Sequence, residues 1–257
     1  MNGTGSQLWA LARRSVVRTL RQPGAIIPAV AFPLFFMAVV SAGAGSATKV
    51  PGFPTDSYLR FVLAGIFLQG VLLAGLNGAT DLAIDVESGF LNRLALTPMR
   101  RLSVVVATVA SVLTVGLIQF VAFLGVGLAF GAHVASGVGG AFALAGLVLC
   151  TAAAFGALWA ALALRTGSSE AVQGVFPVAF VILGFSSFFL PRALVTVGWF
   201  KAIASWNPAS YLIEGMRSLV ITGWDGHALV MAFAVAAGLT VAGMALSTAA
   251  LGRRLAR

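Results

Sequence analysis

Charged residues are scarce in this chain of 257 residues, making up only 9% of it, against about a quarter in a typical soluble domain. Hydrophobic residues make up 60%. A soluble domain of this length cannot hide so much apolar surface, because a small protein has too much surface for its volume. The composition therefore excludes an ordinary soluble domain and predicts an all-α, polytopic protein of the lipid bilayer.

Cysteine, histidine and lysine are also rare. The single cysteine, Cys150, cannot close an intrachain disulfide, and we expect it to be a small buried hydrophobe. The two histidines, His133 and His227, lack an H-E-x-x-H motif or paired carboxylates, which favours interface residues over a two-histidine metal or catalytic site. Neither Lys49 nor Lys201 lies in a phosphate-binding G-x-x-x-x-G-K-[ST] motif. The sequence therefore predicts a chain that lacks ATPase motifs of its own and binds no metal and no cofactor.

The formal net charge of +9 does not indicate a nucleic-acid partner. The basic residues flank apolar blocks and form no patch interleaved with aromatic residues. Most of the 16 lysines and arginines fall on one side of the membrane if the N-terminus is cytoplasmic. Because cytoplasmic loops carry the excess of basic residues, the sequence predicts that both termini are cytoplasmic.

Six apolar blocks are long enough to cross the hydrocarbon core as helices. Residues 102–164 contain no Asp, Glu, Lys or Arg, and a break at 131–140 that combines Gly, Ser and His divides them into two spans. Pro28 and Pro33 are expected to kink the first span. The whole chain, 1–257, is thus predicted to be one transmembrane domain with spans at 25–44, 59–80, 103–130, 139–163, 171–190 and 227–250.

Residues 6–22 precede the first span and form an amphipathic pattern. At about 100° per residue, Arg14, Arg18 and Arg21 fall on the side opposite to apolar residues such as Val16. A basic amphipathic helix of this kind lies in the membrane interface, with its apolar face in lipid. A simple positive-inside anchor is an alternative interpretation of the same arginines.

Residues 191–226 are moderately apolar but interrupted by prolines and charged residues. We expect external helices that lie on the surface or re-enter the membrane, and an ordinary loop with surface helices is the alternative. Glu214 and Arg217 are three residues apart on a predicted helix, where they form either a structural ion pair or an external gate.

A polar insert, 81–101, separates the second span from the third. Asp81, Asp85 and Glu87 follow the span, and Gly89 permits a sharp change of direction. The remainder predicts a short helix with one apolar side that ends before a proline and returns to the membrane at paired arginines. Such a helix fits a groove on a soluble partner, and a tight connector is the alternative. The residues singled out in this part of the insert are Phe90, Leu91 and Leu94, with Pro98 at the end of the helix and Arg101 at the return.

The insert resembles the cytoplasmic signature of permeases in the second type of ATP-binding-cassette exporters. The resemblance rests on the order Glu87, Gly89, Leu91, Leu94, Thr97, Pro98, Arg101. A second stretch, "NPASYLIEGMR" at 207–217, is similar to that family's motif before the last span through Asn207, Pro208, Tyr211, Glu214 and Arg217. The sequence departs from the pattern at Phe90, where the family often has Thr, and at Asn92, where an acidic residue is common.

The resemblance implies that this chain is the membrane half of an exporter in the cell's inner (plasma) membrane. It implies a homodimer of this chain with two copies of a separate ATPase subunit, which binds the ATP and Mg. The insert, with Asp85 and Glu87 at its start, would then couple the ATPase to the spans. The cargo of such families includes drugs, lipids and lipid-linked glycans.

Two other classes of protein remain as alternatives: a transporter driven by an ion gradient, and a membrane-embedded enzyme or anchor. Ion-coupled carriers usually have charges within their spans, and this sequence has none in the middle of the predicted spans. The polar span residues Gln69, Asn77, Gln119 and Gln173 are candidates for substrate contact, but interhelical hydrogen bonds are the commoner role of such residues. The sequence assigns no substrate site.

Overall fold

The computed structural model describes residues 3–90 and 102–255, with side chains for 12–90 and 103–254, and within these ranges it contains helices and no strand. Two short 3-10 helices, Gly45–Lys49 and Arg192–Leu194, lie between the α-helices. The α-helices are α1 (Gly3–Leu20), α2 (Pro23–Gly43), α3 (Tyr58–Glu87), α4 (Leu102–Ala129), α5 (Gly137–Thr166), α6 (Ser169–Gln173), α7 (Phe176–Gly184), α8 (Gly198–Trp206), α9 (Pro208–Ile221) and α10 (Gly226–Leu255).

Five of the described helices, α2, α3, α4, α5 and α10, are long and apolar enough to cross a membrane. Each contains or closely matches one predicted span. The all-α, polytopic membrane class is thereby confirmed, whereas the count of six spans and the cytoplasmic placement of both termini stay predictions. The first span runs as one helix through both of its internal prolines.

The block predicted as the fifth span, 171–190, is not one continuous helix. It forms the five-residue α6 and the nine-residue α7, and α7 ends at Gly184. Pro177 occupies the first turn of α7, where its missing N–H costs no hydrogen bond, so a new helix begins there. Even taken together, the apolar helical stretch Ser169–Gly184 covers only about 24 Å, which is less than the hydrocarbon thickness of roughly 30 Å.

The central helix of the bundle is α3, which packs against α2, α4, α5 and α9. Phe61 and Phe67 on this helix are fully buried. Two of its glycines permit close approach of large side chains, since a Cβ on Gly70 would lie 2.5 Å from the ring of Phe123 and one on Gly75 2.6 Å from that of Trp159. Because α3 is buried on nearly every side, the positions of both of its ends depend on the neighbouring helices.

Small residues join α10 to α5. Ser247 donates a hydrogen bond of 2.7 Å to the carbonyl of Ala157. One turn earlier on α10, a Cβ on Gly243 would lie 2.9 Å from the Cβ of Ala157 and 2.8 Å from the backbone nitrogen of Leu158. This Gly-x-x-x-Ser spacing lets two helix backbones approach closely, as is common between helices in membranes.

The outward surface of the bundle is apolar. Phe35 on α2, Phe142 on α5 and Val241 on α10 are all at least two-thirds exposed. The expectation that Cys150 is buried was wrong, because this residue lies on the exposed side of α5. In a membrane protein an apolar side chain gains nothing from facing inward, since the lipid outside is as apolar as the core.

The polar insert begins later than predicted. The helix α3 continues to Glu87, so Asp81, Asp85 and Glu87 belong to its last turns rather than to a loop. No proline or glycine interrupts these turns before Gly89, and each of the three carboxylates bonds to another segment of the chain.

Candidate coupling site and outer clamp

Side-chain contacts divide the predicted site residues between the two ends of the bundle. One end, here called the terminal face, brings together Arg18, Asp85, Ser169 and Arg254. Arg254 donates a 2.8 Å hydrogen bond to the carbonyl of Leu164, so the C-terminal part of α10 lies at this face together with the end of α1. The opposite end, here called the far face, carries the start of α3 and the segment before α10.

At the terminal face, arginines of α1 contact the acidic end of α3. Arg18 donates to Asp85 at 2.9 Å and lies 3.4 Å from Asp81. The two carboxylates are four residues apart, which places them on one side of the helix within reach of one guanidinium. Arg14, one turn before Arg18, stacks over the ring of Phe90 at 4.2 Å. The helix α1 therefore also packs on the bundle through its polar side.

Glu87 connects the end of α3 to a residue that sequence reasoning missed. Its carboxylate accepts a hydrogen bond from the backbone N–H of Ser169 at 2.7 Å and another from the hydroxyl at 3.1 Å. Ser168 caps the same short helix by accepting from the N–H of Ala171. The Ser-Ser-Glu sequence has the composition of a helix N-cap, but nothing in it indicates a bond to a residue 82 positions away.

Gly89 has a φ of +69°, a left-handed backbone conformation that residues other than glycine adopt only at an energetic cost. The backbone therefore departs from the helical conformation of α3 at Gly89. Phe90 is the last residue described before the gap, and it packs partly against the apolar cluster at this face. The other predicted coupling residues, Leu91, Leu94, Pro98 and Arg101, lie outside the described residues.

At the far face, Glu214 bonds to Arg192 rather than to Arg217. Arg192 donates through Nε to Glu214 at 2.6 Å and through Nη2 to the second carboxylate oxygen. It also stacks on the ring of Tyr211 at 4.7 Å. Burial lowers the pKa of Arg192, but its hydrogen bonds and electrostatic attraction to Glu214 and Tyr211 together outweigh this and leave the pKa above its ordinary value. Arg192 therefore keeps its positive charge throughout the physiological range.

Arg217 is buried, and backbone carbonyl groups accept the hydrogen bonds of its guanidinium. It donates to the carbonyls of Ser187 at 2.8 Å and of Phe61 at 3.3 Å. Its guanidinium lies 3.7 Å from the centre of the Phe61 ring. The side chain thus joins three separate segments: α3, α9 and the stretch that follows α7.

Asn207 also bonds to the chain at the end of α7. Its amide donates to the carbonyls of Ile182 at 2.7 Å and Phe185 at 3.0 Å, and its oxygen caps α9 by accepting from Ala209. Pro208 then opens α9, most of which is buried against α3, α5 and α10. Together, Asn207, Tyr211, Glu214 and Arg217 fasten the segment 182–192 to the bundle, and we call this set the outer clamp.

The polar residues of the predicted spans differ in burial and in hydrogen bonding. Gln119 donates an interhelical hydrogen bond of 2.9 Å to the carbonyl of Ala29. Gln69 is buried with no hydrogen-bond partner for either amide atom, and Asn77 and Gln173 are exposed. These residues do not converge on one cavity among those found in the described part of the chain.

These features define a helical membrane protein with a polar, multiply bonded site at each end of its bundle. A family model described as ABC-2 type transporter matches residues 6–221. The chain belongs to this family, and the resemblance that its two motifs indicated is confirmed. It is a permease subunit of an ATP-binding-cassette exporter, a class whose permeases are not themselves enzymes and work with an ATP-binding subunit.

The chain is also similar to individual permeases. It is 29% identical over 223 residues to "Putative transport permease ycf38" of Porphyra purpurea, covering 85% of this chain and 76% of that protein. It is 28% identical over 231 residues to "Daunorubicin resistance ABC transporter permease protein DrrB1" of Streptomyces coeruleorubidus, covering 86% and 75%. It is 25% identical over 210 residues to "Probable doxorubicin resistance ABC transporter permease protein DrrC" of Mycobacterium tuberculosis, covering 82% and 75%.

Proposed function

We propose that the segment after α3, residues 88–101, docks on a separate ATPase subunit and transmits the movement of that subunit to the spans. The observation that carries this proposal is the bonding of the end of α3. Asp85 is paired with Arg18 on α1, and Glu87 is bonded to Ser169 at the start of α6. Because α3 is packed on almost every side, a displacement of its end also displaces α1 and α6.

The assembly that follows from this role contains two copies of this chain and two ATPase subunits in the inner (plasma) membrane. Both termini and the insert face the cytoplasm, and the partner subunit binds ATP and Mg. The cargo is a hydrophobic or amphipathic molecule. Two observations support that class: the middle of the spans contains no charged residue, and two relatives are named for resistance to doxorubicin and daunorubicin, which are drug molecules.

The test reconstitutes the chain with its ATPase in vesicles and measures both cargo export and ATP hydrolysis. We expect Glu87→Ala to retain ATPase binding but to lower the cargo moved per ATP by roughly two- to fivefold, since a charge-assisted hydrogen bond at an exposed site is lost. Glu87→Gln, which keeps an acceptor for the Ser169 N–H, should recover part of the loss.

Asp56→Ala is the matched control, because this carboxylate is 92% exposed at the far face and lies 3.7 Å from Arg60. It should leave export unchanged. Export that stops with an uncoupler while continuing without ATP would favour an ion-driven carrier. Wild-type coupling in Glu87→Ala would contradict the role assigned to the end of α3.

A further inference from the structure

The helix α8 exposes large aromatic side chains at the far face. Trp206 is 88% exposed and Trp199 is 62% exposed, whereas Ala204 on the same helix is completely buried. Exposed tryptophans on an amphipathic helix are unfavourable in water. They are typical of the membrane–water interface, where the ring contacts acyl chains and the indole N–H contacts headgroups and water. The distribution of these residues indicates that α8 lies along the membrane surface.

An apolar groove of about 260 Å³ lies between α8 and the segment that follows α7. Two of its lining residues pack against Phe185, whose ring lies 5.6 Å from that of Phe200 and 6.1 Å from that of Trp199. This volume is below the range of about 300–1,000 Å³ that is common for drug-sized ligands. Its lining includes Phe189, Leu190, Leu194, Val195, Val197 and Phe200.

The groove is continuous with the exposed apolar surface of α7. Val178, Val181 and Ile182 on α7 are between a third and just over half exposed, and α7 ends at Gly184, which is itself part of the groove. An acyl chain that lies along α7 therefore reaches the groove without crossing polar surface. Lys201, exposed on α8, places a cation near the level of the tryptophans, where lipid phosphates lie.

We propose that this groove binds one acyl chain of a phospholipid from the leaflet at the far face, which is the outer leaflet in the predicted orientation. Trp199 and Trp206 lie at the headgroup level, and Lys201 attracts the phosphate. Asn207 follows α8 directly and bonds to the carbonyls of Ile182 and Phe185. The bound lipid thus contacts the same segment that the outer clamp holds. The site does not depend on coupling to an ATPase, so the chain can be tested alone.

The first experiment purifies the chain from membranes, removes loosely bound lipid with detergent, and counts retained phospholipid by native mass spectrometry. Leu194→Trp and Val195→Trp fill the groove, and Val241→Trp on the exposed side of α10 is the control. We expect the wild type and the control to retain one phospholipid per chain and the groove variants to retain at least about tenfold less, as expected for the loss of a specific site. Equal retention in all four proteins would overturn the proposal.

A second measurement does not depend on the stability of the groove variants. Phospholipids brominated near the headgroup should quench the fluorescence of the wild type more strongly than that of Trp199→Phe/Trp206→Phe. Equal fractional quenching would place α8 away from the interface. Lys201→Glu should lower the ratio of retained anionic to zwitterionic lipid. An unchanged ratio would show that Lys201 does not contact the phosphate of the bound lipid.

The main competing occupant is a second copy of this chain. Cys150→Ser/Leu194→Cys leaves a single cysteine in the groove. Efficient disulfide cross-linking between two chains in native membranes would show a protein interface there and would reject the lipid site. Labelling of the same cysteine by a maleimide attached to a lipid tail, without cross-linking, would support it.

Discussion

The contact between α5 and α10 allows a prediction whose magnitude follows from distances. In Gly243→Ala the new Cβ would lie 2.8 Å from the Leu158 nitrogen and 2.9 Å from the Ala157 Cβ, whereas ordinary contacts are 3.4–4 Å. The helices must therefore separate by about half an ångström or more, because backbone atoms cannot turn away as a side chain does. Overpacking of this kind costs about 1–3 kcal/mol.

Two further effects modify that cost. Separation of the helices strains the hydrogen bond from Ser247 to Ala157, which contributes about 0.5–1.5 kcal/mol. Alanine also has the higher helix propensity, by about 1 kcal/mol. The net expectation is a loss of roughly 1–3 kcal/mol in the free energy of unfolding.

Gly238→Ala provides the matched control, because it changes the same residue type in the same helix where no atom lies within 4 Å of the added Cβ. Only the propensity effect applies there, so the free energy of unfolding should rise by up to about 1 kcal/mol. The assay is reversible unfolding in mixed micelles with increasing sodium dodecyl sulfate, followed by tryptophan fluorescence. If both substitutions shifted the unfolding midpoint in the same direction, the close approach of α5 and α10 would be refuted.

Two ion-pair predictions use the same assay. Arg18→Gln should lower the free energy of unfolding by about 1 kcal/mol, since its bonds to the acidic end of α3 are partly exposed, and the effect should shrink in high salt. Arg21→Gln, just beyond α1, should have little effect, and equal losses would argue against the pairing. Arg192→Glu should cost roughly 1–2 kcal/mol by placing two carboxylates together, and Glu214→Arg in the same chain should restore part of it. The exposed Lys49→Glu is the control, and failure of the double variant to recover would contradict the clamp.

The long helices were predictable because their signal is local. An unbroken apolar stretch of about 20 residues must form its backbone hydrogen bonds within itself in lipid, whatever surrounds it. The predicted and observed bounds of the last span, 227–250 and Gly226–Leu255, illustrate this. The fifth block shows the limit, because hydropathy measures only apolar content, whereas the break between α6 and α7 falls at Pro177, which has no N–H to continue the hydrogen bonds of α6.

The two ends of the molecule were only partly predictable. The motifs singled out Glu87 and Glu214, which both bond to distant segments of the chain, but the sequence suggested Arg217 as the partner of Glu214 because the two are close along one helix. In the fold Arg192 bonds to Glu214, and Arg217 donates its hydrogen bonds to carbonyl groups instead. Spacing along a helix gives candidate pairs, and the approach of a second segment decides among them.

By itself, the sequence determined that this is a helical membrane protein of the ABC-2 type transporter family, with a polar insert after its second span that turns at Gly89. Only the tertiary structure decided what each charge at the two ends contacts. Arg18 and Asp85 are 67 positions apart, and Glu87 and Ser169 are 82 apart. Hydropathy and turn preference are properties of neighbouring residues, whereas an ion pair depends on a distance that exists only after the helices have packed.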